Sequence, residues 1–143
     1  MNDFHISTSI KVRFADCDLM GHVNNAKFFT YLEQSRLEYF KNFPELNFLE
    51  SQKSPELSFI LAEISCTFKS PAFLDETLIV KTRTSELKRS SFVMEYEIVE
   101  EKTLRLVATA RSVQVMFNYR EQKSVAIPDS IRERFGEIEK QKF

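Results

Sequence analysis

The chain has 143 residues, 43% of them hydrophobic, 13% aromatic and 29% charged, a composition that fits one globular domain over residues 1–143. Twenty Lys and Arg face 21 Asp and Glu, a formal net charge of -1, so no broad positive field draws the chain to nucleic acid or an anionic membrane. Two cysteines and two glycines exclude a disulfide scaffold, a four-cysteine zinc site and the glycine-rich loops that cradle nucleotide phosphates.

No apolar run approaches the ~20 residues of a membrane span, and the first residues lack the basic and apolar parts of a secretory signal. A soluble, cytoplasmic chain is expected.

The first element is a strand over residues 6–14, with Ile6, Thr8, Ile10, Val12 and Phe14 on one face. The alternation breaks at residues 15–21. From 23 to 43 the period becomes helical: Phe28, Leu32, Ser35, Arg36, Tyr39 and Phe43 form one stripe, flanked by Phe29, Tyr31 and Phe40. Asn24 or Asn25 suits the N-cap, and Pro44 ends the helix. Glu33 and Arg36 stand three apart and are expected to pair, since Arg36 lies on the buried stripe.

Residues 44–57 read as a loop with a helical turn around Phe48. Four alternating segments follow. In the first, over residues 59–68, Ile60, Ala62, Ile64, Cys66 and Phe68 share a face; in the next two, Leu78 and Val80, then Phe92, Met94, Tyr96 and Ile98 do so. The last, residues 104–117, changes phase from Leu104, Leu106, Ala108 and Ala110 to Val113, Val115 and Phe117, which places a bulge near Arg111 and Ser112. The connections at 71–76, 88–91 and 100–103 are short enough to join neighbouring antiparallel strands. Small residues Ala62, Ala108 and Ala110 mark where a helix approaches the sheet. Pro128 at the first helical position opens a short helix to about residue 140.

The expected fold is therefore α+β: an antiparallel five-stranded sheet around one long helix, plus a short C-terminal helix. One helix cannot cover such a sheet, and a bare edge strand invites a second copy, so a homodimer is expected.

Chemistry concentrates between the first strand and the helix, where Asp16, Cys17, Asp18, Gly21 and His22 precede Val23, Asn24 and Asn25. A helix start offers free N–H donors and partial positive charge, which polarise a carbonyl oxygen or hold an anion. With a carboxylate beside it, the pair supplies a nucleophile or base plus an oxyanion donor. Four other readings compete. Asp16 or Asp18 simply caps the helix, with His22 a satisfied loop residue. An Asp-x-Asp phosphatase pattern needs a parallel α/β scaffold, which these strands do not resemble. A metal held by Asp16, Asp18 and His22 lacks a second ligand cluster. Cys17 as nucleophile lies between acids that disfavour its thiolate.

The run Val12-Arg13-Phe14, Asp18, Gly21-His22-Val23-Asn24-Asn25, Phe28-Phe29, Tyr31-Leu32-Glu33 and Arg36 resembles the hotdog-fold acyl-CoA thioesterases of the 4-hydroxybenzoyl-CoA thioesterase-like branch. Ser90-Ser91-Phe92, entering a strand, extends the resemblance over nearly the whole chain. The resemblance implies hotdog dimers or tetramers with sites at the subunit interface, an acyl-CoA substrate and no metal or organic cofactor. It matches the catalytic aspartate to Asp18 and sets Asp16 at a variable position. The oxyanion donor falls among the backbone N–H groups of Val23, Asn24 or a neighbour. His22 and Asn25 match positions near the thioester. Lys88, Arg89, Ser90 and Ser91, with Lys69 and Arg111, are candidates for contacting coenzyme A. Asp18 then attacks the thioester carbonyl or deprotonates a water. Two other functions fit the same scaffold: a non-catalytic acyl-CoA or acyl-carrier-protein binding module, and a hydratase or dehydratase.

Overall fold

The computed structural model describes residues 3–46 and 57–143. The elements are β1 (Ile6–Lys11), a 3-10 turn (Phe14–Asp16), α1 (Asn25–Phe40), a second 3-10 turn (Pro44–Leu46), β2 (Ser58–Phe68), β3 (Thr77–Leu87), β4 (Ser91–Glu100), β5 (Leu106–Asn118), β6 (Lys123–Ser124) and α2 (Asp129–Glu139). Part of the loop expected over 44–57, including the turn around Phe48, lies outside the described residues. Among the described residues no helix is long and apolar enough to cross a membrane.

The strands are antiparallel in the order β1-β3-β4-β5-β2, with the two-residue β6 added to β5. The expected five strands are present, and β6 is a sixth. Tight hairpins join β3 to β4 and β4 to β5. The short connection at 69–76 does not: β2 lies at the edge beyond β5, so this segment crosses the end of the sheet to reach β3. Length alone allows a hairpin, but β5 takes the one ladder position that β2 uses.

One face of the sheet packs along α1. Its inward residues are Leu78, Val80, Thr82 and Thr84 on β3, Phe92, Met94, Tyr96 and Ile98 on β4, and Ala108, Ser112, Gln114 and Met116 on β5, all buried. The helix buries Phe28, Tyr31, Leu32, Ser35, Arg36, Tyr39 and Phe40, and its Asn24 cap accepts from the Ala26 N–H at 2.9 Å. Rings close the far end: Phe135 of α2 stands 4.7 Å from Phe43 and 5.1 Å from Phe92, centroid to centroid. Tyr39 anchors the same helix by donating to Glu139 Oε2 at 2.6 Å, and the Thr84 N–H donates to that oxygen at 3.0 Å.

Several expectations need correction. No register shift occurs at Arg111 or Ser112; β5 runs straight there against both neighbours. The inward phase continues through Ser112 and Gln114, two buried polar residues whose outward neighbours Val113 and Val115 mimic a change of face. Ser112 Oγ accepts from Gln114 Nε2 and lies 2.6 Å from Tyr96 Oη, while among the described residues Gln114 Oε1 is buried without a partner. The irregularities sit instead between Leu61 and Glu63, between Thr84 and Glu86, and opposite Ile98 and Val99. The first puts Ala62 in an exposed bulge, away from the helix. Phe14 leaves the face of β1 because the chain has already entered a 3-10 turn, and its ring is 82% exposed. Arg36 pairs not with the exposed Glu33 but with Tyr96, donating from Nη1 to Oη at 3.3 Å. Pro128 is the N-cap of α2 rather than its first helical residue.

Candidate active site

Beyond β1 the chain keeps one more sheet-like contact, Val12 N–H to the Glu76 carbonyl at 2.9 Å, before the 3-10 turn reverses it. That turn carries Asp16 inward until it is 1% exposed. Its carboxylate accepts from Arg13 N–H at 3.1 Å, from Arg13 Nη2 at 3.0 Å and from Tyr31 Oη at 2.8 Å. Burial pushes this carboxyl up, and the hydrogen bonds from Arg13 and Tyr31 outweigh it, so it rests below the ordinary carboxylate range. Burial and the same bond push the Tyr31 phenol up. Asp16 is thus turned away from Asp18 and His22. Among the described residues no three His, Cys, Asp or Glu side chains gather closely enough to hold a metal ion.

Residues 17–23 form a tight loop. Cys17 and Val23 face each other as a bridge, Asp18 N–H donates to the His22 carbonyl at 2.9 Å, and Gly21 N–H donates to the Asp18 carbonyl at 3.1 Å. Gly21 closes the turn at φ +85°, where a side chain is disfavoured. The Asp18 side chain, one-third exposed, accepts from Met20 N–H through Oδ1 at 2.8 Å; its Oδ2 stands 3.9 Å from His22 Nδ1. The first bond is the local side-chain-to-backbone turn that Asp favours, and it leaves Oδ2 for other partners.

The crossing segment at 69–76 forms the opposite wall. Val23 N–H donates to the Ala72 carbonyl at 2.8 Å, and His22 bridges Phe73. Arg105 braces the segment, donating from Nη2 to the Pro71 carbonyl at 3.0 Å and to Glu76 Oε1 at 2.8 Å. Between the walls lies a cavity of about 260 Å³, lined by His22, Val23, Asn25 and Phe28 on one side and Phe68, Lys69, Ser70 and Pro71 on the other. Asp18 borders it through His22 and is not itself in the lining. Of this far wall the sequence singles out only Lys69. The others become visible once β2 is known to cross to β3.

Most amides at the helix start are engaged within the fold. Val23 N–H is spent on Ala72, and Asn24 N–H donates to the Asp16 carbonyl at 2.9 Å. Ala26 N–H donates to the Asn24 side chain, and Lys27 N–H to the Asn24 carbonyl at 2.8 Å. The N–H groups of Val23 and Asn24 are therefore not available to an oxyanion. Among the described residues the Asn25 N–H has no partner, and Asn25 lines the cavity.

Lys88, Arg89, Ser90 and Ser91 lie elsewhere. They form the β3–β4 turn, with Lys88 N–H donating to the Ser91 carbonyl at 2.8 Å and Arg132 of α2 donating to the Lys88 carbonyl. This turn neighbours the end of α1, where the rings of Phe40 and Phe92 are 5.8 Å apart. The length of β3, roughly 35 Å for its residues, separates it from Asp18 within one chain. Arg111 is on the outward face of β5, 3.6 Å from Glu63.

Residues 12–135 match the model of the thioesterase-like superfamily. The chain is 26% identical over 135 residues to the long-chain acyl-CoA thioesterase FadM of Escherichia coli, covering 94% of this chain and 100% of that one. It is 27% identical over 140 residues to the acyl-CoA thioesterase YbgC of Haemophilus influenzae, covering 96% and 99%. A solved thioesterase from Thermus thermophilus, complexed with coenzyme A and Zn, superposes with a TM-score of 0.83 at 30% identity over 99% of both chains.

Proposed function

The chain belongs to the thioesterase-like superfamily with its hotdog fold, and from that and the geometry at the start of α1 we propose that it hydrolyses an acyl-CoA thioester to free acid and coenzyme A. The observation that carries this is that Asn25, whose N–H has no partner among the described residues, lines a cavity bordered by the His22–Asp18 pair. Relatives named acyl-CoA thioesterases align over nearly their full lengths.

In the proposed reaction the thioester carbonyl oxygen accepts a hydrogen bond from Asn25 N–H, at the positive end of α1. Asp18 then acts in one of two ways. As a base it takes a proton from water as the water oxygen bonds to the carbonyl carbon. As a nucleophile its own oxygen bonds to that carbon, and water later opens the resulting anhydride. In both the C–S bond breaks, the sulfur leaves with the electron pair, and coenzyme A departs as a thiolate.

We infer that the working unit is a homodimer. The inward side chains Leu61 and Phe68 of the edge strand β2 are 43% and 40% exposed, and Phe29 and Leu37 on the adjoining flank of α1 are 37% and 42% exposed. A two-fold axis that sets two α1 helices side by side in opposite directions brings the 88–91 turn of one chain to the helix start of the other. Lys88, Arg89, Ser90 and Ser91 then serve coenzyme A across the interface.

A panel of acyl-CoA esters with free-thiol detection tests the reading. Thiol release well above the uncatalysed rate on at least one ester is expected. Saturable binding without release marks a binding module, and addition of water across a double bond without release marks a hydratase.

A further inference from the structure

Asp18 is shaped by bonds that close within its own loop: its amide, its carbonyl and its Oδ1 all find partners between residues 20 and 22. These bonds fold the loop but do not locate it against α1. Asp16 does so. Its carboxylate is held by Arg13 at the exit of β1 and by Tyr31 two turns into α1, while its carbonyl accepts the Asn24 N–H. One buried residue thus grips the strand, the face of the helix and the helix start.

We propose that Asp16 is a positioning residue, which through Tyr31 and Arg13 fixes the Asp18 loop against the first turn of α1. Asp18 and the Asn25 N–H are thereby held in register with one thioester. The proposal rests on the reaction read above and extends it. It also accounts for the Asn24 N–H: by spending that donor on its own carbonyl, Asp16 leaves the neighbouring Asn25 amide as the one that can meet an oxyanion. Errors of about 1 Å in such an arrangement cost on the order of a hundredfold in rate. A hydrophobic residue at position 16 would fill the same space without fixing a direction, because dispersion contacts lack the angular preference of hydrogen bonds.

The experiment compares Tyr31→Phe and Asp16→Asn with Tyr39→Phe. Tyr39 loses an equally buried hydrogen bond, to Glu139, at the other end of the same helix, so it reports what a purely structural loss does. With the acyl-CoA ester best hydrolysed by the wild type, Tyr31→Phe is expected to lower kcat by about tenfold and Asp16→Asn by about a hundredfold, with KM changed by less than about threefold. Tyr39→Phe should lower Tm comparably and leave kcat within about twofold. Amide hydrogen exchange gives a second readout that needs no turnover. Exchange at Asp18 and Asn24 should quicken in Tyr31→Phe and stay at the wild-type rate in Tyr39→Phe. Equal kcat losses in Tyr31→Phe and Tyr39→Phe, or unchanged exchange at both amides in Asp16→Asn, overturn the proposal. A wild type that releases no thiol defeats the reaction assigned above, while the exchange comparison still decides the role of Asp16.

Discussion

Asp18 and His22 close a short loop on each other, with the Asp18 N–H donating to the His22 carbonyl at 2.9 Å and Asp18 Oδ2 standing 3.9 Å from His22 Nδ1. The main chain makes the closure and Asp18 Oδ1 takes the Met20 N–H, which leaves Asp18 Oδ2 to act on a neighbour. Gly21 makes this closure feasible at φ +85°, and a Cβ there would meet nothing within 4 Å.

Gly21→Ala therefore costs backbone strain alone. A loss of about 1 kcal/mol is expected in denaturant unfolding, because an L-residue pays that much to hold a left-handed conformation. A loss near zero would mean the turn relaxes into another shape, and catalysis would then fall more than stability.

The Asp16 carboxyl, which burial raises and its bonds to Arg13 and Tyr31 lower further, titrates below its value of about 3.9 in the unfolded chain. The sign follows from linkage. The stabilisation is fully present above the unfolded value and is lost as pH falls through the folded one. Asp16→Asn should consequently be least stable relative to wild type at pH 5 to 7, with the gap narrowing toward pH 3. Urea titrations at several pH values check this; a gap that widens in acid contradicts it.

The helix was legible because its aromatic stripe repeats at a helical period and Asn24 or Asn25 suits its cap, a place the structure gives to Asn24. β5 misleads a reading by polarity because Ser112 and Gln114 face inward while Val113 and Val115 face outward, which inverts the usual meaning of polarity. The neighbour of β2 was not legible at all, since strand order is a matter of long-range pairing that no local pattern records. Nor does any pattern of residues reveal that the Val23 and Asn24 amides are spent; that follows from where Ala72 and Asp16 come to rest. Asp16 itself was visible as a carboxylate near the helix, but its choice of Tyr31 over the cavity required the fold.

The exposed apolar flank of α1 predicts the behaviour of Leu37→Asp. A carboxylate placed in an interface core loses water without gaining a partner, so self-association should weaken by about tenfold or more. Sedimentation velocity across a concentration series reads this directly. Thiol release should decline in step with the dimer fraction, and a variant that dissociates yet keeps full activity would remove the second chain from the site.

The most direct measurement is thiol release by Asp18→Asn beside the wild type on the same acyl-CoA ester. Asn keeps the shape and the acceptor for Met20 N–H, so Tm should stay within a few degrees of wild type, while kcat falls by about a hundredfold or more. An Asp18→Asn protein that is folded and releases thiol at close to the wild-type rate would contradict the assignment of the chemistry to this loop.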